Sequence, residues 1–308
     1  MPSTEDTIFI VVVTGESVTG LLGNGYIALV SWRHCSKKKK ISSINCILLS
    51  LAVSRICLVF FIATDSILRV LLPDFYENDQ LQVVFSTFWT LINYLSIWVA
   101  TCLNFFYLLK IANFSHPLFL WLKWRIDRAI LWILLGCLAI SSLISLILAV
   151  IPKDDTFHMI VTQRRNITEL SHVSKRQYFN SMTLFNLFII VPFSVSLMSF
   201  CLLIMSLWRH TKQMKLSGTD YRDPSTAAHI GAMKNIAFSL VLLFVYCGAC
   251  LLVTFSYLLK EKMLGVMFGE ATSILYPLGH SLILIIGNNK LKQSLARRLK
   301  CIKIACMM

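Results

Sequence analysis

Seven long apolar segments, separated by shorter polar and basic stretches, account for most of this chain. A bilayer core is about 30 Å thick, so a helix needs roughly 20 mostly apolar residues to cross it. Each segment meets that length, and the pattern predicts an all-α membrane protein, a seven-transmembrane helix bundle formed by a single domain over residues 1–308. The predicted spans are 8–31, 42–71, 81–110, 129–151, 181–208, 235–258 and 265–287, followed by a tail over 288–308.

Composition supports a membrane environment. Of the 308 residues, 56% are hydrophobic and only 14% are charged, with a mean hydropathy of +0.71. A soluble domain of this size needs more charge to cover its surface. The net charge of +14 could indicate a nucleic-acid partner, but the basic residues lie between apolar segments and form no single patch. We therefore expect membrane lipids around the chain and no nucleic acid.

The distribution of Lys and Arg predicts the orientation of the bundle. Most of the 29 basic residues fall in the first, third and fifth connections and in the C-terminal tail, whereas acidic residues concentrate on the opposite side. Basic connections stay on the cytoplasmic side of a membrane. The sequence therefore predicts a multi-pass protein of the plasma membrane with an extracellular N-terminus and a cytoplasmic C-terminus.

Two further features fit this topology. The sequon Asn166-Ile167-Thr168 falls in the longest predicted outer loop, 152–180, so we expect a glycan on Asn166. The tail carries apolar residues at helical spacing with basic residues between them, which predicts a short amphipathic helix along the inner leaflet. Cys301 and Cys306 follow in that tail, and the sequence is equally consistent with palmitoylated cysteines and with free thiols.

A few polar residues lie inside the predicted spans, where they are costly and often functional. Arg55 in the second span needs partners, for which Asn24 of the first span and polar groups of the seventh are candidates. Trp89 and Asn93 are four residues apart and share one face of the third helix, which suits either a small-ligand pocket or ordinary packing. Glu270 could pair with a ligand amine or face water.

Other kinds of site have no support in the pattern. The histidines and cysteines show no metal-ligand spacing, and we find no phosphate-binding glycine loop, nucleophile elbow or paired carboxylates outside the membrane. We therefore expect no metal site, no cofactor and no enzymatic activity.

An ordered set of motifs resembles the type 2, or bitter, taste receptor family of G-protein-coupled receptors along the whole chain. The motifs are LGNGYI at 22–27, LLSLAVSRICL at 48–58, FYLLKIANFSHP at 106–117, SLWRHTKQM at 206–214 and HSLILIIGNNKL at 280–291. One such string is weak evidence, but the ordered set on seven correctly oriented helices is specific.

The resemblance implies a pocket for agonists at one end of the bundle. Trp89 and Asn93 match pocket positions of the third helix in this family, and Glu270 matches one of the seventh helix. Tyr246 matches a position directly beneath the pocket that is thought to act as a toggle, so it counts with both the pocket and the activation machinery. Asn166 matches the glycosylation site of the family.

The resemblance also implies an interior activation network. Asn24 and Arg55 match positions that link the first, second and seventh helices. The resemblance also places the segment from Tyr107 to Lys110 and the pair His280-Ser281 in this network. They occupy positions where rhodopsin-like receptors have other motifs.

The function implied is detection of bitter small molecules and activation of a heterotrimeric G protein, with a gustducin-like or inhibitory α subunit and its βγ partner. Two alternatives stay open at this point. The chain could be another chemosensory G-protein-coupled receptor, or a membrane transporter or channel. The transporter is disfavoured because the sequence shows no internal repeat and an odd number of spans.

Overall fold

The structure, a computed structural model, describes residues 4–37, 42–72, 79–161, 167–216, 224–256, 262–288 and 291–297. Seven long helices occupy most of these ranges. They are α1 Thr4–Lys37, α2 Ser43–Leu71, α3 Asp79–Ile111, α4 Pro117–Val161, α5 Ile167–Leu216, α6 Pro224–Ser256 and α7 Lys262–Gly287. Each is long and apolar enough to cross a membrane, so the predicted seven-helix membrane fold is confirmed.

The helices extend beyond several of the predicted spans. The largest differences are in α4, which begins at Pro117 where hydropathy placed the start at 129, and in α5, which begins at Ile167 and not at 181. Proline is favoured at the first helical position because its fixed φ suits a helix and its missing N–H is not needed there. Hydropathy detects uninterrupted apolar length, so it misses the polar start of α5 and the apolar first turns of α4, which charged residues at 123–128 separate from the main apolar run. Lys123, Arg125 and Arg128 therefore lie in α4 and not in a connection.

The helix α3 lies at the centre of the bundle. It packs against α2, α4, α5 and α6, while α1 packs against both α2 and α7 and so closes the ring. Large apolar side chains cover the outside: Leu22, Phe60, Trp132 and Phe244 each have between 64% and 77% of their surface exposed. Side chains of this kind are tolerated at such exposure when the surrounding solvent is lipid. The bundle therefore buries polar groups inside and presents apolar groups outside.

We call the end of the bundle that carries Thr4 the N-terminal end and the opposite end, which carries residues 291–297, the C-terminal end. Residues 291–297 are helical, as the sequence predicts for the start of an amphipathic helix. The Tyr26 hydroxyl donates a hydrogen bond to the Leu291 carbonyl at 2.8 Å, and Leu291 is buried. This contact holds the post-α7 helix against α1.

Two glycines let α6 and α7 approach each other closely. A Cβ atom on Gly269 would overlap the side chain of Val253, and one on Gly287 would overlap the carboxamide of Asn235. Membrane helices rely on such small residues because lipid provides no hydrophobic driving force for helix association. Close backbone approach provides the van der Waals contacts that hold the helices together instead.

We predict that Gly269→Ala destabilises the helix bundle by about 1 to 3 kcal/mol, the usual cost of overpacking a close contact. The measurement is the thermal denaturation midpoint of the purified protein in detergent. Gly248→Ala on α6 is the matched control, because a Cβ there meets nothing within 4 Å. Equal midpoints for the two variants would contradict the assigned contact.

Candidate functional site

A buried arginine organises the middle of the bundle. Arg55 on α2 has 0% of its surface exposed. Its Nη2 atom contacts Nδ1 of His280, and its Nη1 atom donates to the Ser281 hydroxyl at 3.5 Å. The guanidinium carbon lies 5.7 Å from the ring centroid of Tyr276. These partners on α7 are an imidazole, a hydroxyl and an aromatic ring, so neutral groups provide the stabilisation that a buried charge requires.

Ser281 extends the Arg55 contacts to α1. Its Oγ lies 2.7 Å from Asn24 Oδ1 and 2.6 Å from the Pro277 carbonyl oxygen, and a hydroxyl has one proton to share between these two acceptors. Asn24 Nδ2 donates to the Gly20 carbonyl at 2.8 Å. The side chains of Asn24, Arg55 and Ser281 therefore connect α1, α2 and α7, as the sequence suggested from the needs of Arg55.

A second polar contact lies nearer to the N-terminal end. Asn93 on α3 is buried, and its Nδ2 donates to the Tyr246 hydroxyl of α6 at 2.7 Å. The Tyr246 ring centroid is 5.4 Å from that of Tyr276. Because Tyr276 also contacts Arg55, an unbroken series of side chains runs from Asn93 through Tyr246 and Tyr276 to Arg55.

Trp89 lies one helical turn from Asn93, towards the N-terminal end. Its indole stacks on Phe185 of α5, with ring centroids 5.0 Å apart and an interplanar angle of 27°. Tyr94 donates a hydrogen bond from its hydroxyl to the Phe185 carbonyl at 2.6 Å, which fixes that segment of α5 against α3. Trp89 is only half-buried.

The other candidates lie elsewhere. Lys110 is at the C-terminal end of α3, where it pairs with Asp127 of α4 at 3.3 Å, and Asp127 also accepts a hydrogen bond from Ser43 at 2.6 Å. Tyr107 is half-buried one turn before the end of α3. Glu270 belongs to α7, but its side chain is outside the described part of the structure. Asn166, Cys301 and Cys306 also lie outside the described residues.

Sequence reasoning missed two residues of this arrangement. Tyr276 lies four residues before His280 and next to Pro277, so helical spacing could have placed it on the Arg55 face of α7. Phe185 stands in a moderately apolar stretch of α5, and nothing in its neighbourhood distinguishes it from other packing residues.

Comparison with known proteins decides the family. The family model described as "Taste receptor protein (TAS2R)" matches residues 1–303. The chain belongs to this taste receptor family. "Taste receptor type 2 member 8" is 57% identical in Gorilla gorilla gorilla and 56% identical in Homo sapiens, in each case over 308 residues and the full length of both chains. "Taste receptor type 2 member 7" of Mus musculus is 48% identical over 299 residues, which cover 97% of this chain and 96% of that protein.

The identification resolves the alternatives left open by the sequence. A taste receptor is a multi-pass membrane receptor, so the reading as a receptor and not an enzyme is confirmed, and the transporter is set aside. The roles of individual site residues stay predictions.

We predict that the aromatic ring of Tyr276 is needed to hold Arg55 in the taste receptor bundle. Tyr276→Leu should lower the free energy of unfolding by about 2 kcal/mol, because a desolvated cation–π contact contributes roughly that amount. Tyr276→Phe keeps the ring and should retain most of the stability. Thermal denaturation of the purified variants is the measurement. Similar losses in both variants would show that the ring contributes little.

Proposed function

We propose that the chain is a G-protein-coupled receptor of the plasma membrane that detects bitter small molecules. The agonist binds near Trp89 and Asn93 at the N-terminal end, which faces the outside. The receptor then activates a heterotrimeric G protein, with a gustducin-like or inhibitory α subunit and its βγ partner, at the cytoplasmic C-terminal end. Membership of the taste receptor family supports this function, and the Asn93–Tyr246 hydrogen bond is the structural observation on which the mechanism depends.

The proposed agonist site combines an aromatic surface with an amide. The half-buried Trp89 offers a flat apolar contact, and Asn93 has both donors and acceptors for hydrogen bonds. Apolar pockets with a few polar groups are typical small-molecule sites. Glu270 is a further candidate on α7, where a carboxylate would favour ligands that carry an amine.

An agonist at this site would act through Tyr246. A ligand that hydrogen-bonds to Asn93 competes with the 2.7 Å bond from Asn93 to Tyr246, and the Tyr246 ring packs on Tyr276 beside Arg55. If the ligand prefers one position of α6 over another, its binding shifts the population towards that position.

At the C-terminal end, three helices are joined where the G protein would enter. The backbone N–H of Asn113, just beyond α3, donates to Ser206 Oγ of α5 at 3.3 Å. That oxygen lies 3.4 Å from Nε2 of His229 on α6, which is buried. Movement of α6 away from α3 and α5 must break the Ser206–His229 contact. The break would open a cleft between α6 and the pair α3–α5.

The decisive test is a calcium assay in cells that express the receptor with a gustducin-tailed G-protein α subunit. We expect at least one compound of a bitter panel to raise calcium in these cells and to have no effect in cells that lack the receptor. An absence of response across the panel, with the receptor shown at the cell surface, would contradict the proposed ligand class.

Once an agonist is identified, Trp89→Ala should lower its potency by about thirtyfold or more, because truncation of an aromatic hot-spot residue costs about 2 kcal/mol or more of binding. Dose–response curves are compared at equal surface expression. Trp132→Ala is the matched control, since that tryptophan lies on α4 with 77% of its surface exposed. An unchanged curve for Trp89→Ala removes this residue from the agonist site.

The proposed orientation can be tested through the two sequons of the chain, Asn166-Ile167-Thr168 and Asn113-Phe114-Ser115. We expect a glycan on Asn166, because the connection between α4 and α5 is extracellular in this topology, and none on Asn113, which follows α3 at the cytoplasmic end. Asn166→Gln should abolish the mobility shift that a glycosidase produces on a gel, and Asn113→Gln should leave it unchanged. The opposite pattern would invert the topology.

A further inference from the structure

The first turns of α4 combine aromatic and cationic side chains on one outer face. Trp121, Trp124, Arg125 and Arg128 are all exposed, and Trp124 has 85% of its surface exposed. Their spacings of three and four residues place them on the same side of the helix. Ile126, on the opposite side, is buried in the core of the bundle. We call these four exposed residues the Trp–Arg face.

The other charged groups in these turns of α4 have partners within the protein. Lys123 Nζ donates to Asn113 Oδ1 at 2.8 Å, and Asp127 pairs with Lys110 of α3 at 3.3 Å. Within the described part of the chain, no carboxylate pairs with either arginine of the Trp–Arg face. This face therefore presents two positive charges that no acidic side chain neutralises.

The two arginines are placed to share one anion. The guanidinium carbon of Arg125 lies 5.0 Å from the ring centroid of Trp121, and this cation–π contact holds the side chain along the helix. Arg128 follows three residues later, at a spacing for which Cβ atoms on a helix are about 5 to 6 Å apart. A phosphate group fits such a pair, because each guanidinium can donate two parallel hydrogen bonds to its oxygens.

The Trp–Arg face lies at the edge of the apolar part of α4. Residues 129–152 contain no charged residue, and a helix of that length spans about 36 Å, which exceeds a bilayer core of about 30 Å. Arg128 is therefore the first charge beyond the hydrocarbon. Leu131 and Leu135 continue the same side of the helix into the membrane and are exposed. Tryptophan is enriched at the level of the lipid head groups, where Trp121 and Trp124 would lie.

We propose that the Trp–Arg face binds an anionic phospholipid. Its phosphate lies between Arg125 and Arg128, and its acyl chains follow Leu131 and Leu135. A zwitterionic lipid suits this face less well, because its ammonium group would stand near two positive charges with no carboxylate to receive it. In the topology proposed above, this end of the bundle meets the cytoplasmic leaflet, which carries the anionic lipids. The binding requires no agonist, so it stands or fails independently of the ligand class.

The experiment titrates the purified full-length receptor in detergent with phosphatidylglycerol, whose phosphate is its only charged group. Native mass spectrometry counts the lipids that stay bound. We expect phosphatidylglycerol to remain bound at concentrations at which phosphatidylcholine with the same acyl chains dissociates. Equal retention of the two lipids would overturn the proposal, because the parts that they share would then account for binding.

A double variant, Arg125→Gln with Arg128→Gln, assigns the binding to this face. It should weaken the tightest phosphatidylglycerol binding by about 25-fold, because each basic side chain at an anionic surface contributes about a factor of five. Both side chains are exposed, so the variant should keep the thermal denaturation midpoint of the parent protein. An unchanged affinity would overturn the proposal.

The matched control is Lys292→Gln with Arg297→Gln on the post-α7 helix. It removes the same two charges from the same end of the bundle, and both residues are exposed. A separation of five residues directs them to different sides of their helix, so they cannot hold one phosphate together. The control should weaken binding by less than about twofold. Equal losses in the two double variants would indicate diffuse attraction to a basic surface and overturn the assignment.

Glycerol phosphate, which has the phosphate without acyl chains, separates a lipid site from a site for soluble anions. At a concentration equal to that of the lipid, it should leave bound phosphatidylglycerol in place, because it makes no contact with the apolar part of α4. Displacement at equal concentration would assign the two arginines to a soluble phosphate and overturn the lipid proposal.

Discussion

The presence of a permanent cation inside an apolar bundle constrains the whole interior. An arginine side chain only donates hydrogen bonds, so the Nδ1 atom of His280 that contacts Arg55 must carry the lone pair of that imidazole. The remaining stabilisation comes from Ser281 and from the ring of Tyr276, all on one helix. The position of α7 relative to α2 is therefore set by the needs of one charge. Asn24 extends the same requirement to α1 through Ser281.

The helices α3, α6 and α7 are connected to this arginine by contacts that each cross a helix boundary. Asn93 joins α3 to α6, the pair Tyr246–Tyr276 joins α6 to α7, and Tyr276 joins α7 to α2. Because every step links a different pair of helices, a displacement of α6 changes the surroundings of both Asn93 and Arg55. Tyr246 is buried in the middle of this series, so it cannot move independently of its neighbours.

Hydropathy and motif order were sufficient to predict the number of helices, their order and the family. They did not predict where α4 begins, because four charged residues between 123 and 128 interrupt the apolar pattern that starts after Pro117. The cluster of Arg55 with Ser281 could be anticipated, since a buried charge must find polar partners on a neighbouring helix. The contact of Phe185 with Trp89 could not be anticipated, because the rotation of α5 that brings the two rings together follows from the packing of the whole bundle. The same holds for the cavity between residues 183–193 of α5 and 244–255 of α6, because its shape depends on two helices and no single segment encodes it.

Two adjacent residues of α6 face different surroundings. Tyr246 points inward, with 1% of its surface exposed, and Cys247 lines the cavity between α5 and α6. Successive side chains on an α-helix diverge by about 100°, so one turn of α6 contacts the interior network on one side and a lipid-facing surface on the other.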